Sequence, residues 1–281
     1  MKIAPECAAC LYLQLMKTLD HRGVTNQTPV QRAVMLSLAD QWSDYDSPAQ
    51  AIDQMYQVAN HATNQVDAYT DEKVRANDLA EIFWRQHPLP LEDLAGRLAY
   101  AAAANIIDAG LDANPEHLFS QLQEAMDEGL GINASSQFFA DVPEGSRLLY
   151  VTDNAGEVVF DRELIRALRH QGYFVTILVR HHPFLNDVTR EDVCQVHLDT
   201  VADRVLDLGD GFATWTLSPE MLETWGQEFD GFIIKGIANL EALSHRTLPH
   251  PALFLYRAKC PPSARLAGAE WNQNVAWRQP S

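Results

Sequence analysis

The chain has 281 residues, with 21 Lys and Arg against 38 Asp and Glu, a formal charge of −17; this repels phosphate backbones and excludes general nucleic-acid binding. Apolar residues make up 47% and charged residues 21%, the composition of a chain that buries a large core, neither disordered nor fibrous. No apolar run is long enough for a membrane span, and Met1 to Cys7 lack the apolar stretch of a secretory signal, so a cytoplasmic protein with no membrane partner is expected.

From Cys7 to about Gly129 apolar residues recur at three and four, which predicts helices over about 7–21, 29–43, 48–64, 71–86, 91–109 and 115–128. Thr28-Pro29, Ser47-Pro48 and Asn114-Pro115 each set a capping side chain before a proline at the first helical position. Gly110 and Gly129 stand where helices end in a left-handed residue. After Gly145 the rhythm changes to short apolar runs alternating with helical stretches: Arg147–Thr152, Tyr173–Val179, Arg204–Leu208, Gly231–Ile234 and Ala252–Tyr256. That is the sequence form of a parallel sheet covered by helices. Glu157–Gln171, ended by Gly172, makes one βαβ unit with its flanking strands, and the tail from Ala269 to Ser281 shows no pattern. The expected fold is α/β: an all-helical N-terminal domain over 1–144, and a Rossmann-like, mostly parallel sheet flanked by helices over 145–281.

Ligands of such sheets collect at the carboxyl ends of the strands. The first strand empties into Asp153-Asn154-Ala155-Gly156-Glu157, where oxygen-bearing side chains suit a hard divalent cation. The second is followed by Arg180-His181-His182-Pro183-Phe184-Leu185-Asn186-Asp187, a second Asn-Asp pair for the same edge. Lys235 and Asn239 follow the fourth strand and Lys259 the fifth, and oxygen ligands opposite lysines are what metal-assisted phosphoryl chemistry needs. Each piece has a plainer explanation: Asp-Asn-Ala-Gly also reads as a turn capping a helix, Asn186 to Thr189 as another cap, and the lysines as solvated. Cys7-Ala8-Ala9-Cys10 lacks a second CxxC and does not follow a strand, so two small thiols in one helical turn account for it, and reduced cysteines are expected.

The order Asp153-Asn154-Ala155-Gly156-Glu157, then Arg180, Pro183 and Asn186-Asp187-Val188-Thr189, then Lys235-Gly236, Asn239 and Glu241, then Lys259-Cys260 resembles the damage-control metal-dependent phosphatases, a former domain of unknown function also called acidic-residue-methyltransferase-like. Cys7 to Cys10, Asn105-Ile106-Ile107-Asp108 and Asp67-Ala68-Tyr69 with Lys73 are similar to its prokaryotic branch, which usually has proline at the position of Ala68. The family favours glycine where this chain has His181-His182, and a glycine-rich turn where it has Asn272-Gln273-Asn274. The resemblance implies one divalent ion (manganese, cobalt, nickel or magnesium) on Asp153, Asn154 and Asp187. It implies Lys235, Asn239 and Lys259 at the substrate phosphate, with Asn105 and Asn186 lining the pocket. The implied activity is hydrolysis of small phosphate monoesters, sugar phosphates or damaged phospho-metabolites, with Asp153 or Glu157 taking the proton of the attacking water. The rival enzyme reading is an S-adenosylmethionine-dependent carboxyl methyltransferase, which wants a glycine-rich first turn where this chain has one glycine. The non-enzymatic rival is a metal-binding scaffold protein.

Overall fold

A computed structural model of the chain describes residues 1–64, 69–107, 115–207, 209 and 213–279. Asp67, Ala68, Asp108, Gly110, Asn114 and Leu208 of the sequence reading lie outside the described residues. The first elements are α1 (Cys7–His21), α2 (Thr28–Gln41), α3 (Pro48–Thr63), α4 (Thr70–Gln86), α5 (Leu94–Ala103), α6 (Pro115–Asp127), β1 (Ile132–Asn133) and α7 (Ser135–Asp141). Then come β2 (Arg147–Val151), α8 (Glu157–His170), β3 (Phe174–Leu178), α9 (Arg190–Gln195), β4 (Arg204–Leu206) and α10 (Pro219–Glu228). The chain finishes with β5 (Gly231–Lys235), α11 (Ile237–Leu243), β6 (Ala252–Arg257), α12 (Pro261–Ala267) and β7 (Asn274–Arg278).

Local chemistry sets several of these ends. Ser47 Oγ accepts from the Gln50 N–H ahead of Pro48 and starts α3 as expected. Gly129, at φ +64°, closes α6 with its N–H on the Met126 carbonyl. Thr28 differs from expectation: it lies inside α2, Gln27 takes the capping position, and no side chain caps that end.

All seven strands form one sheet in the order β1-β7-β6-β5-β2-β3-β4. The five strands read from the sequence run parallel, and β7 joins them antiparallel to β6, with β1 parallel to β7. The last two were missed because β1 has two residues and the β7 segment NVAWR is a strand only by virtue of its partner β6. From β2 the chain moves to β3 and β4 on one side, then returns to β5 and β6 on the other. The reversal lies between β2 and β5, the place where an open sheet of this kind parts at its carboxyl edge.

Alternate residues of the strands feed two cores. Leu148, Tyr150, Ile233 and Leu255 point into one shared with α4, α5, α6 and α8, while Leu149, Val151, Ile234 and Phe254 point into the other, with α10 and α11. Helices α1–α3 close on a third cluster of their own around Leu15, Val34 and Met55. Thus the helices before residue 145 divide: α4–α6 cover the sheet, while α1–α3 form a bundle whose α3 rests against α11. Among the described residues no helix is long and apolar enough to cross a membrane.

Candidate active site

Strands β2 and β5 pair with Val151 opposite Ile234, so the residues just past their ends, Asp153 and Gly236, meet in the crevice. Gly236 has φ +78°, and a Cβ there would stand 1.8 Å from Asp153 Oδ2. Only glycine supplies both the backbone angle and the space. Gly156, the first residue before α8, has φ +81° and would put a Cβ 2.6 Å from Ile107 Cγ2.

The capping explanation of Asp153 and Asn154 fails on this geometry. No side chain of that loop caps α8, and the Gly156 N–H is taken by Asn77 Oδ1 at 2.6 Å. Asn154 instead donates to Asp153 Oδ2 at 2.9 Å and to Glu157 Oε1 at 2.8 Å. Asn105, from the turn after α5, donates to the same two carboxylates at 3.2 and 2.7 Å. The second Asn-Asp pair arrives through the backbone: Asn154 and Asp187 form an isolated antiparallel bridge, and the Ala155 N–H bonds the Asn186 carbonyl at 2.9 Å. Capping of α9 falls to Thr189, whose N–H bonds Asp192 Oδ2 at 2.8 Å, which leaves Asp187 for the crevice.

Asp153, Asn154, Asn186, Asp187, Asn105 and Lys259 line one cavity of about 210 Å³. Three of the expected residues stand behind that wall. Lys235 is fully buried, with Nζ 2.9 Å from Glu157 Oε2 and 2.8 Å from Asp161 Oδ1, and Asp161 also accepts from Tyr150 OH at 2.7 Å. Glu157 is likewise fully buried, with Oε1 held by two amides and Oε2 by the lysine. Asn239 ties the strand ends together, its amide donating to the Thr152 and Lys235 carbonyls at 3.0 and 2.8 Å and its oxygen accepting from Thr214.

Burial raises the Asp153 carboxyl well above the usual carboxylate range, and the charges of Glu157 and Asp187 add to the effect. Burial also raises Asp187, although Arg180 Nε donates to its Oδ2 at 2.7 Å and draws it back. The Arg180 guanidinium is clamped over the Trp215 ring at 4.5 Å, beside Phe184. For Lys235 burial acts downward, but Asp161 and Glu157 outweigh it and raise the ammonium. Asp187 is thus ion-paired with Arg180, while Asp153 takes amide hydrogen bonds from Asn105 and Asn154.

Among the described residues no three His, Cys, Asp or Glu side chains cluster as a metal site. The donors brought together are two carboxylates and an amide, a hard oxygen set that suits a divalent cation with water completing its shell. Two buried carboxylates lining one cavity are the physical mark of that fit. His181 turns away to Asp207, at 2.7 Å, and adds no ligand.

Residues 3–275 match the damage-control phosphatase ARMT1-like domain. The chain belongs to that family. A curated damage-control phosphatase of Archaeoglobus fulgidus is 29% identical, covering 98% of this chain and 99% of its own length. Another from Pyrococcus horikoshii is 28% identical over 94% of each. The crystal structure of a DUF89 family protein from Pyrococcus horikoshii superposes over the whole of both chains with a TM-score of 0.83 at 27% identity. Membership supports a phosphatase role for the chain and confirms both the family resemblance and the α/β fold read from the sequence.

Sequence reasoning placed no role on Asp161, Arg180, Trp215, Glu241, Cys10 or Cys260. Asp161 had a signal: it stands four residues after Glu157, one helical turn on the same face. Arg180 and Glu241 lay inside the recognised motifs. Cys10 and Cys260 also lay in those motifs, whereas Trp215 reaches the pocket from a distant segment that no local pattern marks.

Proposed function

We propose that the pocket hydrolyses small phosphate monoesters, among them sugar phosphates or damaged phospho-metabolites of the cytoplasm, with one divalent cation held by Asp153, Asn154 and Asp187. The observation that carries this reading is the convergence of two buried carboxylates, Asp153 and Asp187, with the Asn154 amide and Lys259 on one cavity wall. Manganese, cobalt, nickel and magnesium all accept such a donor set. When bound, the cation polarises a phosphoryl oxygen and lowers the pKa of water.

The remaining steps belong to this chain's own residues. Lys259, with the Asn186 amide, binds the phosphoryl oxygens and offsets charge that builds there as water attacks phosphorus and the ester oxygen leaves. Asp153, on the cavity wall, is the carboxylate placed to take the proton of that water. Glu157, with both oxygens engaged, acts as a positioning residue that orients Asn105 and Asn154. Lys235 neutralises Glu157 and Asp161 beneath the site, and the role read for it and for Asn239 at the phosphate becomes one of holding the wall.

The test is phosphate release from para-nitrophenyl phosphate and a panel of sugar phosphates, on EDTA-treated protein refilled with magnesium, manganese, cobalt or nickel. Turnover that requires metal and falls by roughly 10²-fold or more in Asp153→Ala is expected, by analogy with loss of one charge-stabilising group. Metal binding with no turnover on any ester would refute the reading in favour of a scaffold protein.

A further inference from the structure

A carboxyl group that the phosphoryl chemistry leaves unused stands in the same cavity. Glu241, on α11, shares the wall with Cys10 and Gln14 of α1 and with Cys260. It is 6% exposed, and its Oε2 is buried with no hydrogen-bond partner among the described residues. Buried oxygens are nearly always satisfied, so an unpartnered one on a residue that lines a pocket marks where a ligand brings the missing partner.

The position of Glu241 along α11 defines the ligand. Gly236 packs directly on Asp153, which fixes the start of α11 at the reacting end of the cavity. Ile237 and Glu241 are four residues apart, so they share a face of the helix and lie about 6 Å apart along its axis. Both line the cavity. A phosphoryl group seated at Asp153, Asp187 and Lys259 therefore sends its leaving group along α11, and a short carbon chain reaches Glu241. Ala49, Ile52 and Ala238 form apolar wall on that side and receive the carbon skeleton.

The ionisation of Glu241 then separates a hydroxyl from an ammonium. Burial pushes its carboxyl up and the Met1 α-amine draws it back, leaving it at about 8. Near neutral pH the group keeps its proton, so it accepts from and donates to a neutral hydroxyl, whereas an ammonium would meet no anion.

We propose that Glu241 is a specificity residue that hydrogen-bonds a hydroxyl of the leaving group and so selects phosphate monoesters of polyols over those of plain alkyl alcohols. This role rests on the phosphatase reading above. It is tested with glycerol 1-phosphate and propyl phosphate, which differ only in hydroxyls, by comparing kcat/KM on the wild type, Glu241→Leu and Glu241→Gln with the same metal. The wild type is expected to prefer the glycerol ester by roughly tenfold or more, and Glu241→Leu to lower that ratio by a similar factor. Glu241→Gln, which still donates and accepts, keeps the ratio within about threefold of wild type. Glu241→Met, equally without a hydrogen-bonding group of consequence, replaces the Leu variant if that fails to fold. A wild type that treats the two esters alike, or an apolar variant that slows both in proportion, overturns the role of Glu241 and leaves the phosphatase reading standing. A wild type that hydrolyses neither these esters nor para-nitrophenyl phosphate with any metal removes both.

Discussion

Asn105 joins the helical half of the chain to the carboxylates. Its amide bridges Asp153 and Glu157, and its oxygen accepts from the Arg257 N–H at 3.2 Å, so three segments are fixed through one side chain. Asn105→Ala leaves two buried carboxylates without that donor, and partners of this kind tune metal ligands. The affinity for manganese, read by titration calorimetry, is expected to fall about 10–100-fold; an unchanged affinity would show that Asn154 alone orients Asp153. Glu241 carries a pH prediction. Its folded value of about 8 lies above the ordinary 4.5, so the folded state holds a proton that the unfolded chain releases. The penalty is absent below about pH 4.5, grows as pH rises through the window and is complete above about 8. Glu241→Gln removes it, and urea unfolding is expected to find the variant about 1–3 kcal/mol more stable at pH 8.5, with the gap closing towards pH 4.5. Equal stability at both pH values would mean the carboxyl is solvated.

At the scale of elements, the meeting of β2, β5 and the start of α11 builds the reacting end of the pocket. Gly236→Ala forces a Cβ onto Asp153 Oδ2 at a positive φ, and the strand end cannot move because Lys235 is locked to Glu157 and Asp161. A stability loss of about 1–3 kcal/mol is expected from the strained angle, together with a roughly 10²-fold drop in kcat/KM from displacement of the carboxylate. Thermal unfolding and steady-state kinetics on the same preparation check the pair, and a variant with normal kinetics would show that Asp153 need not hold this position. The element level is also where sequence was most legible. Observed α1 and predicted 7–21 coincide, and Ser47 caps α3 as its spacing before Pro48 requires. Helix α2 formed without the Thr28 cap, because Val30, Val34 and Leu38 bury its apolar face on α1 and α3. Strand β7 stayed illegible because the pattern that makes it a strand lies in β6.

For the whole molecule, a net charge of −17 means that a dianionic phosphate ester would be repelled before it reaches Lys259 on the cavity wall and the buried cations Arg180 and Lys235 behind it. Added salt screens the distant charges more than the buried ones. Raising ionic strength from roughly 20 to 200 mM is expected to increase kcat/KM for a phosphate monoester several-fold, with kcat little changed. A falling kcat/KM would show that the local cations steer the substrate instead. The sequence by itself determined α1–α6 and α8, the five parallel strands and the carboxylates and amides delivered to one sheet edge, since periodicity, capping residues and strand-end positions are properties of neighbouring residues. It did not determine that the sheet reverses between β2 and β5, that β7 pairs antiparallel with β6, or that Lys235 sits under the site while Lys259 faces it. Those choices belong to the tertiary structure, because strand order and the burial of a charged side chain depend on partners dozens of residues away. Asn105, 48 positions before Asp153, and Lys235, 78 after Glu157, meet their carboxylates only when the packed core puts them there.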